Sequence, residues 1–201
     1  MLRIPSVGSL IVDTPIPDWV CDSLTNASWV VVRRETAKYG IVPVGIRGNS
    51  RSQRFPAFLP KDAIIEKVEP EDLTEQRLWK TSPRRSQIEA FNLLDKLIEI
   101  YYAYSLSWGP TGSVGFELAS GVPTVHAGSD LDVVIRAPRR LGQSVAQELI
   151  KFHNSFPVRI DVQLETPLGA VSLVEYARGT DSMLLRTGLG PRLVKDPWVV
   201  V

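Results

Sequence analysis

The chain has almost none of the cysteine and histidine that soft-metal sites and thiol chemistry need. Of its 201 residues one is cysteine, Cys21, and two are histidine, His126 and His153. A single thiol closes no internal disulfide and builds no thiolate zinc site, and two histidines do not make a histidine-rich metal centre. No Gly-x-x-x-x-Gly-Lys stretch is present, which sets aside the P-loop nucleotidases. No apolar run approaches the ~20 residues of a membrane span. Met1–Trp19, with prolines at 5, 15 and 17 and Asp13 ending the run Leu10–Val12, does not read as a signal peptide. An excess of charge of one sign is lacking too. The 23 Lys+Arg face 22 Asp+Glu, and residues 1–80 (11 against 10) and 81–201 (12 against 12) are each balanced. Neither nucleic acid nor a membrane surface is therefore an expected partner, and any anionic ligand has to be held by a local site. What remains, 44% apolar and 22% charged, is the composition of a soluble globular protein, expected in the reducing cytoplasm.

Residues 1–80 alternate short apolar runs with turn signals and read as a small β-rich domain. Ser28–Val32 and Ile41–Ile46 are predicted strands joined by the polar Arg33–Gly40, and Pro43 points to an edge position for the second. The segment 47–54 carries Arg47, Arg51 and Arg54 and no acidic residue. It reads either as a solvated loop or as a clamp for phosphate oxygens, which arginine forks match. Phe55–Asp72 is punctuated by proline and reads as irregular. A boundary is expected near Leu78–Ser82, giving domains 1–80 and 81–201. Ser82-Pro83 reads as an N-cap followed by proline at the first helical position, opening an amphipathic helix to about Tyr104. A short strand with a Gly-rich turn over Ser105–Ser113 and a short helix over Val114–Ser120 follow. Next come the loop Gly121–Ala127, a helix over Arg139–Asn154, a strand over Val158–Leu164 and an apolar run Gly169–Glu175. The tail from Gly179 is Gly/Pro-rich. The fold class is α+β, a β-rich part followed by one in which strands and helices alternate.

The chemistry centres on Gly128-Ser129-Asp130-Leu131-Asp132-Val133-Val134-Ile135. Strand alternation puts Asp130 and Asp132 on one face, roughly 6–7 Å apart. They are either a solvated strand end or ligands of a hard divalent cation. Alternation in Val158–Leu164 places Arg159, Asp161 and Gln163 on that strand's polar face. One helix separates the two strands, and a strand–helix–strand unit can set them side by side, so that three carboxylates converge. Gly112-Ser113 offers backbone N–H groups to phosphate oxygens, with Gly128-Ser129 as a rival for part of that role. Arg136 and Arg159 lie near the acidic motif and serve either to orient carboxylates or diphosphate, or as ordinary ion pairs. Glu165 is an alternative third carboxylate, and His126 reads as a hydrogen-bonding loop residue. A phosphate cradle with three carboxylates is what phosphoryl transfer uses.

The order of Gly112-Ser113, Asp130-Leu131-Asp132 and Asp161 resembles the nucleotidyltransferase superfamily of the polymerase β type. One departure is the 16 residues between Ser113 and Asp130, more than the superfamily usually shows. The run from Trp108 to Leu118 continuing to Gly128–Asp132 looks, more narrowly, like the malonate decarboxylase holo-acyl-carrier-protein synthases, or phosphoribosyl-dephospho-CoA transferases. Further matches are Arg159–Thr166, Leu184–Gly188, Asp196-Pro197-Trp198 and, in the amino-terminal half, Pro43–Gly48 with Arg51 and Arg54. The resemblance implies a polymerase β-like catalytic domain, a mixed sheet flanked by helices, behind the β-rich part. It also implies transfer of a phosphoribosyl-dephospho-CoA group from triphosphoribosyl-dephospho-CoA to a serine of the apo acyl-carrier subunit of malonate decarboxylase, releasing diphosphate. Two Mg²⁺ ions would be held by Asp130, Asp132 and Asp161. Gly112, Ser113, Ser129, Arg47, Arg51, Arg54, Arg136 and Arg159 would serve the substrates. Two other readings stand beside it: an enzyme using an ordinary nucleoside triphosphate, and a non-catalytic binding module on the same scaffold.

Overall fold

The computed structural model of the chain describes residues 1–48, 50 and 52–199. It divides into two compact units, the first taking Met1–Glu69 with Ala119–Val122, the second Pro70–Leu118 and the chain from Pro123 onward.

The first unit holds β1 (Leu2–Arg3), α1 (Asp18–Asn26), β2 (Trp29–Val32), β3 (Ile41–Arg47), β4 (Arg54–Pro60) and β5 (Glu66–Lys67). The strands form an antiparallel sheet in the order β4-β3-β2-β1-β5. Alternation along β4 turns Phe55, Ala57 and Leu59 inward, where they meet Val44 and Ile46 of β3 and Val20 and Leu24 of α1. Two expectations fail here. β3 is not an edge strand, since β2 and β4 flank it. Pro43 is tolerated because its carbonyl still accepts the Arg33 N–H at 2.9 Å, and the donor it lacks falls where β2 has ended. The stretch after Phe55 is not irregular but continues a seven-residue strand. Its prolines do no damage, because Phe58 exchanges both backbone bonds outward with Ile11. Pro56 and Pro60 share that parity on an edge strand, so neither removes a bond to β3.

The second unit runs α2 (Pro70–Glu75), α3 (Glu89–Ala103), β6 (Ser107–Pro110), α4 (Gly112–Ser120), β7 (Leu131–Arg136), α5 (Gln143–His153), β8 (Ile160–Thr166), β9 (Gly169–Ser172), α6 (Leu173–Ala177), β10 (Met183–Thr187) and β11 (Gly190–Val194). The sheet order is β11-β10-β9-β8-β7-β6, with β7 and β8 parallel and the other neighbours antiparallel. This is the expected α+β fold with a mixed sheet flanked by helices. Leu131, Val133 and Ile135 of β7 and Ile160, Val162 and Leu164 of β8 point into one core with Phe91, Leu94 and Leu97 of α3 and Leu149 of α5. Tyr101 and His153 meet inside it, the hydroxyl and Nε2 sharing a hydrogen bond of 2.9 Å. Burial drives the His153 imidazole down to about 4 and the tyrosine hydroxyl well above its ordinary range.

α3 starts later than Ser82-Pro83 suggests. Ser82 Oγ accepts the Arg84 N–H, closing a turn rather than a helix, while the neighbouring arginines are drawn aside to Glu117 and Asp95. Trp79, just before this turn, is fully buried and donates its indole N–H to Asp95 at 3.0 Å. The Gly/Pro-rich tail is a hairpin, β10–β11, turning through Gly188-Leu189. Among the described residues no helix is long and apolar enough to cross a membrane.

Candidate active site

The two aspartate-bearing strands lie next to one another. β7 and β8 pair in parallel with Asp132 opposite Asp161, so the two Cα atoms are one strand spacing apart, about 4.8 Å. Asp130 stands two residues ahead of Asp132, just outside β7, on the same face. The opposite face of both strands is core, which commits all three carboxylates to the other side. Arg159, exposed and one residue before β8, reaches both outer members: its Nη1 lies 4.0 Å from Asp130 Oδ2 and its Nη2 3.8 Å from Asp161 Oδ2.

β6 brings the glycine turn to the same place. It is antiparallel to β7, and the Thr111 N–H just beyond it donates to the Asp132 carbonyl at 2.8 Å. α4 then begins at Gly112-Ser113. Gly112 has φ +59°, and a Cβ on it would sit 1.9 Å from Asp132 Oδ2. Only glycine permits this approach, for both conformation and space. The amino-terminal end of α4 is thus set against the second carboxylate, with its first backbone N–H groups free of helical partners as at any helix start.

Gly128-Ser129 lies in the loop that leads to Asp130. Ser129 Oγ accepts the His126 N–H at 3.1 Å and the Ser129 N–H donates to the His126 carbonyl at 2.9 Å, closing a turn ahead of Asp130. Arg136 is four residues beyond Asp132, about 13 Å along the strand. Its Nε donates to Glu71 of α2 at 2.6 Å and its Nη1 lies 3.5 Å from Glu165, so it fixes α2 to the sheet. Glu165 is likewise four residues beyond Asp161, opposite Arg136 at the far end of the strand pair. In the first unit Arg47 and Arg54 are direct cross-strand partners, and both are exposed. Arg51 lies outside the described residues.

Arg84 and Glu117 are not among the candidate residues that the sequence suggests, yet the structure pairs them. Glu117 of α4 is 5% exposed, and its Oε2 accepts the backbone N–H groups of Thr124 and Val125, both at 2.8 Å. Arg84 Nη1 bridges both Glu117 oxygens at 2.8 Å and its Nη2 donates to the Val125 carbonyl. The Thr124 hydroxyl donates to the Ser113 carbonyl at 3.0 Å. The long insertion between Ser113 and Asp130 is therefore strapped back onto the helix that carries Ser113. One signal is present in the sequence: Glu117 is the one charged residue of a largely apolar helix, where a carboxylate has to find a partner.

As a metal site the arrangement fits in donor chemistry and in register. Carboxylate oxygens on one face of two adjacent strands suit a hard divalent cation. It is not a ready-made cage, for among the described residues no three His, Cys, Asp or Glu side chains are gathered into one ligand cluster.

Comparison with known proteins gives one consistent result. The sequence profile of the phosphoribosyl-dephospho-CoA transferase MdcG C-terminal domain matches residues 77–197, and that of the N-terminal domain matches residues 3–70. A phosphoribosyl-dephospho-CoA transferase of Pseudomonas putida is 44% identical over 94% of this chain and 89% of its own length. Proteins of the same name from Azotobacter vinelandii strain DJ (92% of this chain, 87% of its own) and Pseudomonas aeruginosa strain PAO1 (90% and 85%) are each 40% identical. No solved structure matches the chain.

Proposed function

This chain belongs to the phosphoribosyl-dephospho-CoA transferase MdcG family, an enzyme family, and on that premise we propose that it loads an acyl-carrier protein with its prosthetic group. The donor is 2'-(5''-triphosphoribosyl)-3'-dephospho-CoA and the acceptor a serine of the apo acyl-carrier subunit of malonate decarboxylase. The serine Oγ forms a bond to the phosphorus nearest the ribose, the bond from that phosphorus to its bridging oxygen breaks, and diphosphate leaves with the electron pair. The observation that carries this reading is the register of Asp132 and Asp161 beside the Gly112 turn.

Asp130, Asp132 and Asp161 are the residues that would hold divalent metal, Mg²⁺. When bound, the metal neutralises phosphate charge and lowers the pKa of the attacking hydroxyl. Asp161 orients the serine and accepts its proton. The α4 start at Gly112-Ser113 receives phosphate oxygens on backbone N–H groups. Arg159, exposed and within 4.0 Å of two of the carboxylates, turns to the departing diphosphate. Arg47 and Arg54 meet donor phosphate or the acidic surface of the carrier. Arg136 acts at a distance, by keeping α2 on the sheet. The superfamily assignment, polymerase β-like, belongs to the same proposal.

The test is transfer of radiolabelled donor to purified apo carrier subunit with Mg²⁺, with and without a chelator, beside the Asp132→Asn variant. Label on the carrier serine that both the chelator and the substitution abolish supports the reading. Label from ATP but none from the dephospho-CoA donor overturns it in favour of an ordinary nucleotidyltransferase, and ligand binding without any transfer in favour of a binding module.

A further inference from the structure

A cleft of about 650 Å³ opens in the second unit between α2, the end of α3 and the start of β6. Its size is that of a small-molecule site. Tyr102, 84% exposed, stands over it, and Thr74, Ser105, Leu106 and Ser107 line it. Arg77 (φ 51°) and Ser105 (φ 53°) also line it, and they are the two non-glycine residues with positive φ among those described. Side chains rarely adopt this left-handed region, and two such residues on one rim mark a shape held against local preference.

β6 is an edge strand, and its hydrogen-bond parity is fixed by the Thr111 N–H donating to Asp132. Thr111, Gly109 and Ser107 face β7, so Trp108 turns its N–H and carbonyl outward. The Trp108 side chain is packed edge-on against Tyr101 in the core, which leaves the backbone as what it offers the cleft. Neither outward group has a partner among the described residues. Charge is close to balanced: Arg136 already engages Glu71, and the lining carries both Glu75 and Arg77. Phosphate finds no cationic pocket here. What fits is a neutral, extended, amide-bearing chain that pairs with an edge strand as an added strand does.

Along β6 this cleft lies at one end and Gly112-Ser113 at the other. We propose that the cleft holds the pantetheine arm of the dephospho-CoA donor, its amides bonded to the Trp108 backbone and its chain covered by Tyr102. The inference rests on the proposed function, which supplies the donor.

The test measures binding of 3'-dephospho-CoA and of ADP, which lacks the arm, to the full-length protein by calorimetry. Thr74→Arg fills the cleft and Tyr102→Ala removes its cover; melting temperatures check folding. Both variants are expected to weaken dephospho-CoA binding by at least about tenfold while ADP binding stays within about twofold. Unchanged dephospho-CoA affinity in variants of a wild type that binds and transfers overturns the inference and leaves the proposed function standing. Equal loss of both probes in folded variants overturns it too, placing the nucleotide in the cleft. Retained dephospho-CoA binding with loss of carrier loading assigns the cleft to the carrier and also overturns it. A wild type that neither binds nor transfers the donor removes the proposed function, and the inference with it.

Discussion

Asp132 and Asp161 are register partners on neighbouring parallel strands, so their carboxylates leave one face of the sheet side by side. The pairing is pinned from the other face, where Leu131, Val133, Ile160 and Val162 are all core. A slip of one residue would bury Asp161 and expose that apolar set, so packing energy of the core fixes the geometry of the site.

Asp132→Asn and Asp161→Asn keep volume and remove charge. Each is expected to lower carrier loading by about 10²–10³-fold, the size of losing one transition-state electrostatic contact. Unfolding curves should barely move, because both side chains are on the polar face. Loss of transfer accompanied by a collapsed melting temperature would count against a catalytic role.

Gly112→Ala introduces a methyl 1.9 Å from Asp132 Oδ2 at a φ of +59°. The backbone strain alone is about 1–2 kcal/mol, and the clash displaces either the aspartate or the helix start. Transfer should fall more than stability does. Gly121→Ala is the control: it has φ +71° with nothing within 4 Å of the added Cβ, so it carries strain without the clash. If both variants transfer equally well, the close approach to Asp132 has no part in catalysis.

The aspartates were legible because strict alternation fixes the face of every residue in a strand, and because one short helix between two strands brings them together. Helix α3 starts later than the sequence suggests: Ser82-Pro83 satisfies the local rules for a start, while Arg84 and Arg85 are claimed by tertiary partners, Glu117 and Asp95. β4 was hidden by Pro56 and Pro60, whose harmlessness depends on which way each residue faces in a ladder the sequence does not display. Glu117 had no spacing motif to announce it; its importance lies in Thr124 and Val125, whose backbone it binds.

His153 sets a pH limit on stability. Its folded pKa, about 4, is depressed by burial from the 6.5 of the exposed residue. Between these values the unfolded chain binds the proton and the folded one does not, so stability rises with pH. The contribution, about 3 kcal/mol for a shift of this size, is present above pH 6.5 and is lost as pH falls towards 4. Urea unfolding at pH 7 and pH 4 measures it. The double variant Tyr101→Phe/His153→Leu removes both polar partners and should show a smaller acid loss than the wild type. An equal loss in the two proteins would assign the acid sensitivity to other groups.

Arg84 and Glu117 make the strongest stability prediction in the second unit. The Glu117 carboxylate is 5% exposed and holds two backbone N–H groups besides the guanidinium. Arg84→Ala leaves that charge buried without its counter-ion and is expected to destabilise by about 3–5 kcal/mol. Glu117→Gln keeps one acceptor oxygen for the Thr124 and Val125 N–H groups but loses the charge, and should fall between wild type and Arg84→Ala. The pair also moors the loop that ends at Asp130 to the helix that begins at Gly112, through Thr124 and the Ser113 carbonyl at 3.0 Å. A folded Glu117→Gln protein, assayed well below its melting temperature, should therefore load the carrier more slowly than wild type. Denaturant midpoints test the first claim, and loading rates at saturating donor test the second. A change of less than about 1 kcal/mol for Arg84→Ala would mean that water reaches the carboxylate and the strap is a surface pair after all.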